Sequence, residues 1–149
     1  GDVELNARCA ELRVEKMKSK NLLEKFDMVV ALEAKGIALA HEFAQILNFP
    51  YYVVIRKSVK KYMISPITVP VESITSFGEQ TLVLNGLDAE RINDKQVCII
   101  EDVIATGGSV RAACNLIEKA GGVVTVIATV LLKGDFEDPR LLYYHKPPI

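Results

Sequence analysis

The 149-residue chain has no tryptophan, only three cysteines and only two histidines. His41 and His145 each lack a metal-ligating neighbour and no Cys-x-x-Cys pair is present, so a zinc site is not expected. Cys98 and Cys114 sit inside apolar patterns, and Cys9 makes the number odd. Free thiols in a reducing compartment fit that usage better than a disulfide framework. The apolar run 122–132 falls short of a membrane span, and no secretory leader is visible. No membrane partner and a cytoplasmic residence are the default expectation. Charge of one sign is lacking too: 18 Lys and Arg face 19 Asp and Glu, a net charge of -1. That balance excludes a broad electrostatic grip on nucleic acid. The chain also has no GxGxxG and no GxxxxGK[ST], so the dinucleotide and P-loop readings fail.

What is present suits one globular domain over residues 1–149, with half of the residues hydrophobic and a quarter charged. Residues 3–23 have helical spacing, with Leu5, Cys9, Leu12 and Met17 expected on one face and Asp2 as a cap. A continuous apolar run at 28–32 predicts a strand covered on both faces. A helix at 36–47 (Ile37, Ala40, Ala44 and Leu47 on one side) and a strand at 51–55 follow. This β-α-β order puts a parallel sheet at the centre, with helices on both faces. From residue 56 to about 77 the periodicity breaks, and its Val, Ile and Thr content favours extended, hairpin-like excursions over disorder. Further strands are expected at 81–84, 96–100, 123–132 and 141–144, with a helix at 109–120.

One stretch carries most of the chemistry. The apolar strand Val97-Cys98-Ile99-Ile100 runs into Glu101-Asp102 and then into Ala105-Thr106-Gly107-Gly108-Ser109 at a helix start. Backbone N–H groups of such a turn, with the Thr106 and Ser109 hydroxyls, form a concave donor surface for phosphate. Two glycines let the backbone turn tightly and approach a ligand. The acids stand at the carboxyl end of a strand, where open α/β sheets bind ligands. Neighbouring side chains on a strand face opposite ways, so one acid is expected on a ribose diol or hydrated Mg2+ and the other as a brace. Glu33-Ala34-Lys35-Gly36 is a second strand-to-helix junction with amides at a helix N-terminus. Arg56, at a strand end, offers a planar fork to phosphate oxygens. Lys57, Lys60 and Lys61 beside it serve either a small anion or only solvation.

Residues 97–110 resemble the phosphoribosyl-pyrophosphate signature of the type I phosphoribosyltransferases: an apolar strand, two acids, then TGG[TS]. Glu33-Ala34-Lys35-Gly36 resembles the pyrophosphate loop of the adenine and xanthine members, and Val54-Ile55-Arg56-Lys57 the strand end whose Arg meets pyrophosphate. The likeness covers about residues 3–133. It implies the type I fold, with a long flexible lid at 58–80, and a chain that begins after the family's N-terminal hood. It implies transfer of ribose 5-phosphate from phosphoribosyl pyrophosphate to a purine base, adenine- or xanthine-like, in purine salvage.

In residue terms, the resemblance assigns catalysis to Glu101, Asp102 and Arg56, with Mg2+ as cofactor on Glu101 and Asp102. It assigns the 5'-phosphate to Ala105, Thr106, Gly107, Gly108 and Ser109, and pyrophosphate to Ala34, Lys35, Gly36, Arg56 and Lys57. A cis peptide near Ala34-Lys35 is expected, turning amides toward pyrophosphate. Lys133 and Phe136 are assigned to the base, Lys133 on an exocyclic oxygen and Phe136 by stacking. A solvated Lys133 and a Phe136 packed on the sheet are the competing readings. Ser76 stands where adenine-specific members carry a lid Glu, with Glu72 and Glu79 nearby. Tyr143, Tyr144 and His145 are candidates for a homodimer contact. A non-catalytic phosphoribosyl pyrophosphate sensor of the same fold is the main alternative, and a pyrimidine-directed member a weaker one.

Overall fold

Met28–Leu32 has no polar residue to give to solvent, and in the computed structural model it becomes β1, buried at all five positions. The structure describes residues 1–72 and 79–148. β1 lies near the middle of a five-stranded sheet made with β2 (Val53–Ile55), β5 (Gln96–Ile104), β6 (Val123–Leu132) and β7 (Leu141–His145). The order is β2-β1-β5-β6-β7 and every pairing is parallel. Alternation along β5 divides the core between two faces. Val97 and Ile99 join one apolar cluster with α3 (Gly86–Ile92) and α4 (Gly108–Lys119). Cys98 and Ile100 join the other, with α1 (Val3–Ser19) and α2 (Gly36–Ile46). The chain thus has the expected α/β architecture, a parallel sheet with helices covering both faces.

Several expectations need correction. α1 buries Ala10, Arg13 and Met17, while Leu5 is 60% exposed. Positions 10, 13 and 17 form the helical stripe that meets the sheet. Arg13 is buried with its guanidinium 4.8 Å from the Tyr144 ring centre and no hydrogen-bond partner among the described residues. α3 was not foreseen. Asn85 caps it, accepting from the Leu87 and Ile64 amides, where the sequence suggests only a turn. The stretch expected as a lid contains β3 (Ile67–Val71), which pairs antiparallel, in the hairpin-like manner expected, with β4 (Gln80–Leu84), the strand expected at 81–84; the pair packs on α4 through Val69, Leu82 and Leu84. Residues 73–78, which include Ser76, lie outside the described residues. Cys98 and Cys114 are buried free thiols as expected, and Cys9 is partly buried.

Candidate active site at the carboxyl edge of the sheet

Because β2, β1, β5 and β6 are parallel neighbours, their carboxyl ends share one edge. Arg56 follows β2, Glu33 to Gly36 follow β1, the acid pair lies late in β5, and Lys133 follows β6. Strand spacing of about 4.8 Å puts the β2 and β6 ends roughly 14 Å apart. Cations therefore stand at both ends of a row whose middle is acidic.

The β2 and β1 ends are tied together by Glu33. Its Oε1 accepts from Arg56 Nη1 at 3.2 Å, and its Oε2 accepts from the Lys57 amide at 2.9 Å. The Lys57 amide chiefly, helped by Arg56 against some desolvation, holds the Glu33 carboxyl below its usual range. Arg56 is also fixed through its backbone, exchanging two hydrogen bonds with Val83 of β4 at 2.8 and 2.7 Å. Ala34 and Lys35 are exposed at the start of α2, and Gly36 is buried. The cis peptide is Glu33–Ala34, one residue earlier than expected.

Gly36 allows α2 to approach β5. A Cβ there would lie 2.9 Å from the Ile100 carbonyl oxygen and 3.5 Å from Glu101 Oε1. The acid pair is still within β5, which stays paired to β6 through Ile104, so the expected strand end at residue 100 comes too early. Apolar periodicity stops at Ile100, but backbone pairing does not. Glu101 and Asp102 are both half-buried. Burial, reinforced by the neighbouring Asp102, pushes the Glu101 carboxyl up to about 8, against its bond from the Asp102 amide and a weak pull from Lys57. Thr129 braces the pair from β6, its hydroxyl donating to the Asp102 carbonyl at 3.0 Å.

Beyond β5 the chain turns at Gly107, whose φ of +81° is left-handed backbone that suits glycine. Gly107 is the N-cap of α4, and Thr106 and Ser109 are exposed at its mouth. Arg111 fastens the turn by donating to the Thr106 carbonyl at 2.9 Å. The Phe136 ring lies directly against Gly107, where a Cβ would be 2.1 Å from the ring.

Phe136 is 6% exposed, packed in the α4-side core with the Arg111 guanidinium 5.5 Å above its ring. Most of its ring is thus taken up by packing, and Phe136 supports the turn at Gly107. Lys133 is exposed and lines a cavity of about 490 Å3 with Ala105, Thr106, Asp135 and an edge of Phe136. A larger cavity, about 820 Å3, lies along α4 beside Cys114 and the Asp138–Arg140 ion pair, away from Glu33 and Arg56.

The model of the phosphoribosyl transferase domain matches residues 4–144. The chain belongs to the phosphoribosyltransferase family. It is 34% identical over 109 residues to the hypoxanthine/guanine phosphoribosyltransferase of Ferroglobus placidus, covering 73% of this chain and 54% of that protein. It is 38% identical over 112 residues to the enzyme of that name from Methanocaldococcus vulcanius, covering 75% and 57%. The chain therefore spans little more than half the length of these curated relatives. Among solved structures, adenine phosphoribosyltransferase from Thermoanaerobacter pseudethanolicus superposes with a TM-score of 0.78 at 23% identity, covering 97% of this chain and 82% of that one. The Trypanosoma brucei adenine phosphoribosyltransferase, solved with AMP, pyrophosphate and ribose 5-phosphate, gives 0.69 at 27% identity, covering 87% and 53%.

Within this phosphoribosyltransferase domain, the residues expected for pyrophosphate, ribose and 5'-phosphate gather on one sheet edge, and the two expected base residues, Lys133 and Phe136, line one cavity beside Ala105 and Thr106. Glu33 belongs to the expected pyrophosphate loop, but its hold on Arg56 and Lys57 is not legible in the sequence, and Arg111 is an addition to the site. Glu33 acts on partners more than twenty residues away, which no local motif reveals. Arg111 sits within the first turn after TGGS, a cation close enough to reach back over the turn. Among the described residues no group of three or more His, Cys, Asp or Glu could hold a metal. The donor set nevertheless fits Mg2+, which favours substrate oxygens plus a carboxylate or two. A half-buried Glu101 with so little positive charge beside it is a group that a cation would stabilise in ionised form.

Proposed function

We propose that this chain transfers ribose 5-phosphate from phosphoribosyl pyrophosphate to a ring nitrogen of a purine base. The observation that carries the reading is the Glu33–Arg56–Lys57 junction standing in the same row as the acid pair and the glycine turn. Arg56 and the amides at the start of α2 hold the diphosphate, and the turn from Ala105 to Ser109 holds the 5'-phosphate. Asp102 and Glu101 orient the ribose between them. The bond from the anomeric carbon to the diphosphate oxygen breaks, a carbon–nitrogen bond to the base forms, and the base gives up a proton. Breaking that bond early leaves positive charge on the ribose, which adjacent carboxylates stabilise. Mg2+, held by Glu101 and Asp102 with the sugar diphosphate oxygens, would neutralise charge on the departing diphosphate.

For the acceptor, Lys133 supports a purine with an exocyclic oxygen, because an ammonium only donates. It stands at the cavity beside Ala105 and Thr106, where a base attached to the bound ribose would lie. The test is pyrophosphate release from phosphoribosyl pyrophosphate and Mg2+ with adenine, hypoxanthine, guanine and xanthine in turn. Release is expected with purines, fastest with a 6-oxopurine. Tight donor binding without release on any base would replace the enzyme by a sensor.

A further inference from the structure

The contact that joins the β1 and β2 ends is also one that an arriving anion must disturb. Glu33 takes the Arg56 Nη1 donor at 3.2 Å and the Lys57 amide at 2.9 Å, one with each carboxylate oxygen. A guanidinium edge beside a backbone N–H is an arrangement that receives two oxygens of a phosphate in the same way. The side chains of Arg56 and Glu33 are 31% and 22% exposed, so the pair is partly shielded from solvent screening. Among the described residues Arg56 pairs with no other carboxylate.

We propose that Glu33 is a built-in stand-in for the leaving diphosphate: it holds Arg56 and the Lys57 amide in their receiving arrangement while the site is empty, and the anion displaces it. The inference deepens the donor-site reading above and rests on it. Arg56 is kept from wandering between turnovers, so little ordering remains to be done when substrate arrives. Binding then exchanges two hydrogen bonds instead of gaining two, which lowers affinity for pyrophosphate. The same competition speeds its departure. A Glu33 that only braced Arg56, and kept its contacts in the complex, would raise affinity instead. The two roles predict opposite signs.

The experiment is calorimetric titration of inorganic pyrophosphate with Mg2+ into the wild-type chain, Glu33→Gln, Arg56→Ala and the double variant. Glu33→Gln keeps an oxygen for the Lys57 amide and removes the negative charge. It is expected to bind pyrophosphate at least tenfold more tightly than wild type, on the order of what a charge-assisted contact is worth. In the Arg56→Ala background the same change is expected to move binding less than about threefold, because the competition is gone. If Glu33→Gln does not fold, Glu33→Asp, which keeps the charge but shortens its reach, is expected to tighten binding by a smaller factor. Equal or weaker binding by the folded variant, with wild type binding normally, overturns the stand-in role and leaves the donor site intact. No binding to wild type, or binding indifferent to Arg56→Ala, overturns both.

Discussion

The two ends of the strand row differ in how firmly they are built. At the β2–β1–β5 end, each feature is braced by another: Glu33 holds Arg56, Gly36 lets α2 reach Glu101, and Thr129 supports Asp102. At the β6 end one exposed ammonium, Lys133, faces a cavity, and the aromatic ring beside it, Phe136, is mostly taken up by the core. The braced end suits a charged ligand whose geometry is fixed, a diphosphate and a ribose phosphate. The sparse end leaves acceptor choice to few contacts. Substitutions at the two ends are therefore expected to separate donor effects from acceptor effects.

The largest effect is expected from Asp102→Ala. It should lower kcat/KM by about a thousandfold, a loss of about 4 kcal/mol of transition-state stabilisation. Steady-state kinetics measure the loss, and an unchanged circular dichroism spectrum would show that the fold survives. Next comes Phe136→Ala, expected to cost about 3 to 4 kcal/mol of stability by opening a cavity under Gly107. Phe136→Leu, read alongside it, should leave the acceptor KM within about threefold, because substitution of a packed residue by one that still fills most of the site costs little. A large rise in acceptor KM with normal denaturant stability would place Phe136 on the base.

A smaller effect concerns Glu101 in the metal-free, ligand-free protein. Its carboxyl holds a proton up to about 8 when folded, against 4.5 as its ordinary value. Between those values the folded chain binds more protons than the unfolded one, so stability falls as pH rises. The favourable contribution is complete below the lower value and lost through the upper one. The limiting slope is about 1.4 kcal/mol per pH unit. Urea denaturation from pH 5 to 8.5 should show that slope in wild type and its absence in Glu101→Gln. The smallest effect is that of Lys133→Met. It should raise the KM of a 6-oxopurine about tenfold, the worth of about one hydrogen bond to a charged donor. The donor KM should not change.

The sequence revealed the β2–β1–β5 end of the row far better than the β6 end, for physical reasons. A buried parallel strand must be continuously apolar, and a phosphate turn needs glycine and hydroxyls, so both leave local patterns in the chain. β6 and the TGGS turn are found where those patterns put them. The extension of β5 through Glu101 and Asp102 was hidden because backbone pairing to β6 needs no apolar side chain. α3 was hidden because seven residues hold too little period to outweigh the Asn85-Gly86 turn signal. Glu33 and Phe136 have roles set by partners distant in sequence, Arg56 for one and Gly107 for the other. Burial of Arg13 beneath Tyr144 has the same long-range origin.

Titration of phosphoribosyl pyrophosphate with Mg2+ into the wild-type chain, Arg56→Ala and Lys133→Met tests the central claim most directly. The arrangement predicts one donor site per chain, lost in Arg56→Ala and unchanged in Lys133→Met. No binding to wild type, or binding that survives Arg56→Ala, would contradict the placement of the donor along the β2–β1–β5 edge.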